Sequence, residues 1–308
     1  MRIAVVGAGA MGSIFGARFV QGGHETVLVD VIESLVDTVN TSGVTIVRGD
    51  EETATRVPAT TDPSSVGAVD AVVFFTKCYH TAAAAQSAHP LVGAQTIVAS
   101  LQNGWGNGDV LAAEYDPAQI VLGVTYNSGL VLGPGRVRHP ADAATTLGPF
   151  AGDSTGDAER LAQAIRDGGL EAEVAAQVRP EIWKKIVLNA ATLPTAALAG
   201  MNAGALTEHP EMHELVSETA REAVAVARSL GYHIDPKERV DSIHALLERA
   251  AATKGSMLQD FEAGRRTEID VINGAVVRAA AESGVDVPLN RALVALVKGW
   301  EAMRGLGD

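Results

Sequence analysis

Met1-Arg2-Ile3-Ala4-Val5-Val6-Gly7-Ala8-Gly9-Ala10-Met11-Gly12 opens the chain, and the architecture follows from how these residues must fold. Ile3–Val6 is an apolar, partly β-branched run, the pattern of a buried parallel strand. Gly7, Gly9 and Gly12 follow at GxGxxG spacing, and residues 10–21 read as helical. A second short strand, Thr26–Val29, ends at the acid Asp30. This is the sequence order that a dinucleotide site requires. Gly7 permits the tight turn, Gly9 lets the backbone approach a pyrophosphate, and Gly12 lets the helix pack closely on the strand. Ala8, Ala10 and Met11 complete the loop, and the helix N-terminus offers free N–H groups and a positive dipole end to phosphates.

Asp30 bears on which dinucleotide is bound. An acid at the end of the second strand accepts hydrogen bonds from the adenosine ribose 2′-OH and repels a 2′-phosphate. Val31, Ile32 and Glu33 follow it, and no Lys or Arg occurs before Arg48. NAD(H) is therefore the expected cofactor, with NADP(H) the alternative. Asp30 could instead only cap the next helix, which Asp does well.

At 308 residues the chain is long for one core and comfortable for two domains. Hydrophobic residues make up 47%, enough for both cores, yet no apolar stretch reaches membrane-spanning length. The opening residues read as a strand, not a signal peptide, and cytoplasm is the expected compartment. One cysteine, Cys78, excludes an intrachain disulfide and multi-cysteine zinc patterns, and no metal is expected. The net charge of −13 argues against nucleic acid and anionic membranes as partners. An acidic chain that binds an anionic ligand must concentrate its few lysines locally.

Short apolar runs alternate with helical segments up to about residue 150. Ile3–Val6, Thr26–Val29, Ala71–Phe75, Thr96–Leu101 and Ile120–Val124 read as strands, with Ala-rich helices such as Thr81–Ala88 and Asn107–Ala113 between them. That alternation indicates an α/β domain with a doubly wound parallel sheet. Between Gly123 and Gly148, the turn Gly133-Pro134-Gly135 suggests a hairpin appended to the sheet. Residues 157–168 look helical, and Leu170–Val174 reads as one more strand. Beyond about Pro180, helical periodicity runs through Trp183–Leu193, Met212–Leu230, Val240–Ala252 and Ile269–Ser283. The expected organisation is a dinucleotide-binding domain over 1–178 and an all-α substrate and catalytic domain over 179–308.

Three clusters carry candidate chemistry, the third of them spread over two helices. Thr76-Lys77 follows the strand Ala71–Phe75, where ligands of doubly wound sheets bind, although an ordinary surface lysine fits Lys77 equally. Asn103, in Gln102-Asn103-Gly104, also follows a strand; its amide suits a nicotinamide ribose, and Asn-Gly is equally plain turn chemistry. Lys185 and Asn189 lie four apart on one face of an otherwise apolar helix, so the lysine must meet a cleft or a partner. Glu268 and Asp270 begin another apolar helix behind Thr267, and capping alone accounts for that acid pair.

Taken together, GAGAMG, Thr76-Lys77, Gln102-Asn103-Gly104, Trp183-Lys184-Lys185 with Asn189, Ser256, and Arg265-Arg266-Thr267-Glu268-Ile269-Asp270 with Asn273-Gly274 stand in family order. The chain resembles the ketopantoate reductase (2-dehydropantoate 2-reductase) family from end to end. The resemblance implies a Rossmann-like domain followed by a helical domain, with the active site between them. It implies that Lys185 is the catalytic lysine, protonating a carbonyl oxygen while hydride arrives from nicotinamide, and that Glu268 helps to hold cofactor and substrate. It assigns Lys77 and Asn103 to cofactor and substrate contacts, and Asn189 and Ser256 to the polar end of the substrate.

Four positions depart from the family pattern. Leu193, Ala203 and Thr253 stand where asparagine is found, and Val31 stands where the 2′-phosphate arginine falls. Polar contacts to a hydroxylated substrate are thinned, which costs discrimination in its favour. The expected activity is reduction of a small 2-oxo acid to the D-2-hydroxy acid, as in the NAD-dependent D-2-hydroxyacid dehydrogenase branch of the family. Ketopantoate reduction in pantothenate synthesis is the alternative, and a non-catalytic dinucleotide sensor a second one. The expected partner is the small-molecule substrate; a homodimer is compatible with the sequence.

Overall fold

A computed structural model describes residues 1–307. The chain divides into two compact units, Met1–Gln102 with Asn107–Val178, and Asn103–Gly106 with the residues from Arg179 onward.

In the first unit the strands are β1 (Arg2–Val6), β2 (Glu25–Val29), β3 (Val44–Arg48), β4 (Glu51–Thr55), β5 (Ala59–Thr60), β6 (Ala71–Phe74), β7 (Ile97–Ser100), β8 (Ile120–Thr125), β9 (Leu130–Gly133), β10 (Arg136–Arg138), β11 (Thr145–Pro149) and β12 (Ala172–Val174). The helices are α1 (Ala10–Gln21), α2 (Glu33–Ser42), α3 (Thr81–Ser87), α4 (Asn107–Ala112) and α5 (Thr155–Asp167). Eight strands form one sheet in the order β12-β11-β8-β7-β6-β1-β2-β5. Every neighbouring pair is parallel except β8 with β11. Ile3 and Val5 of β1 pack with Val73 of β6, Ile97 of β7, Phe15 and Phe19 of α1 and Leu161 of α5. Ala4 and Val6, on the opposite face, are buried too, so β1 reads as a continuous apolar run. Each fully buried Val or Phe is worth about 1.5–3 kcal/mol, which makes these central strands the anchor of the unit.

The order of strands fixes where the winding reverses. From β1 the chain winds outward through β2 to β5, then returns to β6 on the other side of β1. The carboxyl ends of β1 and β6 therefore flank the point where the winding reverses. Gly7 follows β1 and Thr76-Lys77 follows β6.

The hairpin at Gly133-Pro134-Gly135 exists, but its place differs from the one the sequence suggests. β9 and β10 belong to a separate four-stranded sheet, β4-β3-β10-β9, and it is β11 that extends the main sheet. β10 pairs in parallel with β3, so the hairpin is captured by residues about ninety positions earlier. That second hairpin, β3 with β4, leaves little trace in sequence because β4 is exposed along most of its length.

The second unit contains α6 (Arg179–Ala199), α7 (Ala205–Glu208), α8 (Pro210–Ser229), α9 (Pro236–Arg249), α10 (Ser256–Glu262), α11 (Asn273–Ser283) and α12 (Pro288–Ala302), and no strand among its described residues. Ile182, Trp183, Ile186, Val187, Leu188 and Ala190 bury α6 on nearly every side. Buried amides tie the helices together. Asn273 donates to the Ala190 carbonyl at 2.9 Å and to Asn290 at 3.0 Å, and Asn290 donates to Glu222 at 2.8 Å. Glu222 also accepts the N–H groups of Leu289 and Asn290, satisfying the free amino end of α12. The helical pattern over Ile269–Ser283 is broken: Ile269–Val271 forms a 3-10 turn, and α11 starts only at Asn273. Among the described residues, no helix is long and apolar enough to cross a membrane.

Candidate active site

Within the first unit the glycine loop takes the conformation its composition demands. Gly7 has φ +96°, a region closed to most side chains, and a methyl on it would lie 2.8 Å from the Thr76 nitrogen. Its N–H donates to the Val29 carbonyl at 2.8 Å, tying the ends of β1 and β2, and the Phe75 N–H donates to the Val6 carbonyl at 2.8 Å on the β6 side. A methyl on Gly12 would lie 1.8 Å from the Gly7 carbonyl oxygen, so α1 packs on its own loop only with glycine there. A methyl on Gly9, the N-cap of α1, would meet nothing within 4 Å. The backbone at Gly9 is thus open, and the first N–H groups of α1 lie beside it.

Asp30 does not cap the next helix. One carboxylate oxygen accepts the Ala8 N–H at 2.7 Å and the other accepts the Ile32 N–H at 3.1 Å, while the N-cap of α2 is Ile32 and uses no side chain. The carboxylate therefore braces the glycine loop from the end of β2. Beside it Val31 is 87% exposed, an apolar residue held in water. Lys77 follows β6 at the turn into α3. Gln102 fixes that corner by donating to the Thr76 carbonyl at 2.8 Å and to the Thr81 hydroxyl at 2.8 Å.

The second unit gathers the other candidates. Lys185 of α6 donates to Oδ1 of Asn103 at 2.7 Å, and Nδ2 of Asn103 donates to Glu268 at 3.4 Å. Burial pushes the Lys185 ammonium down to a pKa of about 8, and the nearby Glu268 carboxylate acts in the opposite direction. Glu268 is only 6% exposed and carries no capping bond, so it is not spent on the helix terminus. Thr267 is not the N-cap, which is Glu268 for the 3-10 turn and Ile272 for α11, but its hydroxyl accepts the Ile269 N–H at 3.2 Å and braces the turn. Asp270 lies apart from the pair, bound to Lys298 at 3.0 Å. Lys184, one position from Lys185, bridges to Glu181 at 2.7 Å on the outer face.

Asn103 reaches these partners because its loop is anchored to the second unit. Gly104 has φ +86°, and a methyl on it would come within 2.5 Å of the Val271 side chain. The Trp105 N–H donates to the Val271 carbonyl at 2.9 Å, and the Trp105 ring packs on Trp183 with centroids 5.6 Å apart. Arg179 lies 5.8 Å above the Trp105 ring. These anchors are not read from sequence, although two of the three tryptophans stand beside the asparagine and lysine motifs.

Further along α6, Asn189 is buried, one turn from Lys185. Ser256 opens α10, which packs on α6 with the preceding Gly255 against the Leu193 side chain. Ala203 donates its N–H to the Thr253 carbonyl at 3.0 Å. Leu193, Ala203 and Thr253 therefore cluster around the start of α10, beside Ser256. Gly7–Gly12, Asp30 and Lys77 lie together in the first unit; in the second, hydrogen bonds join Asn103, Lys185 and Glu268, while Asn189 lies one turn further along α6 and Ser256 opens the α10 helix that packs on α6. Among the described residues no His, Cys, Asp and Glu cluster could hold a metal ion.

Comparison with known proteins agrees over nearly the whole length. The family model described as ketopantoate reductase PanE/ApbA matches residues 3–152, and its C-terminal counterpart matches residues 177–301. A 2-dehydropantoate 2-reductase of Halobacterium salinarum is 34% identical over 97% of this chain and 98% of its own length. One from Archaeoglobus fulgidus is 32% identical over 98% of each. Among solved structures, D-mandelate dehydrogenase with NADH and anilino(oxo)acetate superposes with a TM-score of 0.94 at 27% identity, covering all of both chains. A PanE/ApbA family ketopantoate reductase from Ralstonia eutropha gives 0.90 at 30% identity, covering 99% of this chain and all of the other. With both halves matched and relatives above 30% identity along the whole chain, the protein belongs to the ketopantoate reductase family of oxidoreductases.

Proposed function

We propose that the protein is an NAD(H)-dependent reductase of small 2-oxo acids that forms the D-2-hydroxy acid, with Lys185 as the proton donor. The observation that carries this reading is the Lys185–Asn103–Glu268 arrangement. It holds the ammonium by a 2.7 Å hydrogen bond at a buried position, where burial, against the opposing Glu268 charge, lowers its pKa to about 8, within reach of neutral pH. Efficient general acids have pKa values near the working pH, and a water-exposed lysine does not. Reduction of a ketone needs a proton for the developing alkoxide and a cation to polarise the oxygen, and one ammonium supplies both.

A nicotinamide dinucleotide, when bound, supplies the hydride. The loop Gly7–Gly12, with Ala8, Ala10 and Met11, has the open backbone at Gly9 and the helix terminus that suit a pyrophosphate. Asp30 offers its remaining lone pairs to ribose hydroxyls, and the exposed Val31 offers a 2′-phosphate no cation. NADH bound to the D-mandelate dehydrogenase neighbour supports the same preference. Lys77 is read as a cofactor and substrate contact. Asn103 orients Lys185 and, with Glu268, helps to hold cofactor and substrate. Asn189 and Ser256 bind the polar end of the substrate, and Leu193 and Ala203 favour an apolar side chain.

A second reading is favoured by the relatives called 2-dehydropantoate 2-reductase at 34% and 32% identity: the substrate is ketopantoate. A panel of 2-oxo acids, ketopantoate included, assayed with NADH and NADPH separately, distinguishes the two. Higher kcat/KM for 2-oxoisovalerate with NADH is the expected result. Activity confined to ketopantoate would replace the first reading by the second, and no reductase activity on any member would remove both.

A further inference from the structure

Glu268 sits between α10 and α11, at the N-cap position of a 3-10 turn and without a side-chain capping bond. The backbone that carries its carboxylate is fixed by its neighbours. Thr267 is 1% exposed and sends two donors to one atom: its N–H reaches Oε1 of Glu301 at 2.8 Å, and its hydroxyl reaches the same oxygen at 2.7 Å. The same hydroxyl accepts the Ile269 N–H, so the bond to Glu301 is passed directly into the turn that carries Glu268. Two residues on, Asp270 is held by Lys298 at 3.0 Å and faces Arg266 at 3.6 Å. Lys298 and Glu301 are one turn apart on α12.

Glu301 is an expensive way to hold a threonine. Its side chain is 1% exposed, its Oε2 has no hydrogen-bond partner, and the nearest cation, Lys298, is 3.8 Å away. Stability alone rarely favours a buried carboxylate so thinly compensated. A charged acceptor does, however, make shorter and stronger bonds than a neutral one, and so a stiffer support.

We propose that Glu301 is a positioning residue for the reaction, which acts through Thr267 to keep the Glu268 carboxylate directed at Asn103 and Lys185. The inference rests on the reading of Lys185 and Glu268 as the reacting pair. It has a consequence that a purely structural role lacks. Glu268 is the charge that raises the Lys185 pKa against burial. When Glu268 turns away, Lys185 is left without that compensation and loses its proton at lower pH. The charged groups facing the two ends of this relay are Lys185 on one side and Lys298, Asp270 and Arg266 on the other.

The test compares wild type with Glu301→Gln, Thr267→Val, Thr267→Ser and Glu268→Gln, each checked for folding by circular dichroism. The first readout is the pH profile of kcat for reduction of 2-oxoisovalerate by NADH. The second is the pH dependence of Lys185 acetylation by acetic anhydride in the cofactor-free protein, followed by mass spectrometry. Glu301→Gln and Thr267→Val are expected to lower kcat about tenfold, since small misplacements at a reacting centre are costly, and to move both midpoints to lower pH. Thr267→Ser keeps the hydroxyl and is expected to match wild type in both. The two threonine variants leave the buried charge untouched, so they decide the matter even where Glu301→Gln folds poorly. If Thr267→Val keeps wild-type midpoints while Glu268→Gln shifts them, the relay is refuted and the reading of the site stands. If Glu268→Gln itself changes neither midpoint nor kcat, the reading of the site falls and the relay with it.

Discussion

Reduction and oxidation by this protein are expected to show opposed pH profiles that break at the same place. Lys185 must be an ammonium to protonate the alkoxide and a neutral amine to take the proton back. Its displacement from 10.5 to about 8 corresponds to about 3 kcal/mol in favour of the amine, relative to a lysine in water. At pH 7 about nine-tenths of the molecules still carry the ammonium, and at pH 9 about nine-tenths carry the amine. Reduction is therefore expected to be level below pH 8 and to fall about tenfold per pH unit above it, while oxidation rises with the same slope up to pH 8 and then levels. Both follow from NADH absorbance with saturating substrate in constant-ionic-strength buffers. Lys185→Ala is expected to lose about a hundred- to ten-thousandfold in kcat, with NADH binding little changed. Lys184→Ala, which breaks only the outward bridge to Glu181, is expected to remain active. Breaks near 10.5 in both directions, or a Lys185→Ala variant with near-normal kcat, would refute the assignment.

Asp30→Ala combined with Val31→Arg is expected to move the kcat/KM preference from NADH toward NADPH, measured as the ratio of the two; a wild type that already prefers NADPH would show Asp30 to be only a brace for the loop. Gly104→Ala forces a side chain into φ +86° and into Val271, and is expected to cost about 1–3 kcal/mol in unfolding free energy by denaturant titration, with kcat reduced as Asn103 shifts. Leu193→Asn returns an amide beside Gly255 and Ser256, and is expected to raise kcat/KM for ketopantoate relative to 2-oxoisovalerate; an unchanged ratio would remove Leu193 as a determinant of substrate choice.

The glycine loop was legible because its physics is local: strand, turn, helix and acid lie within thirty residues, and each carries its own constraint. Lys185, Asn103 and Glu268 were legible one at a time, as a lysine on an apolar helix, an Asn-Gly turn and an acid near a helix start. Their meeting is implied by the family resemblance but not by local pattern, because 82 residues separate the lysine from the asparagine and 165 separate the asparagine from the glutamate. The acid pair at 268 and 270 reads as capping from pattern alone, and only the structure shows that Glu268 stands at the N-cap position without a capping bond while the Thr267 hydroxyl braces the turn. Glu301 left no mark at all, since an acid in an amphipathic helix is indistinguishable from a solvated one until its burial is seen. The sheet of β3, β4, β9 and β10 escaped for a related reason: its exposed outer strand carries no apolar run, and its central pairing joins distant parts of the chain.

Asn103–Gly106 is the place where chain order and contact order disagree, for these residues are flanked by the first unit and packed with the second. Recombination between relatives by a single crossover near residue 178 would exchange the helices that carry Lys185 and Glu268 while leaving behind the asparagine that joins them. A hybrid gene made that way inherits its lysine from one parent and its Gly104–Val271 fit from two. Only parents that agree at both Asn103 and residue 271 are interchangeable at that seam, so the four-residue loop sets which lineages can trade their helical halves and still arrive at a working pair.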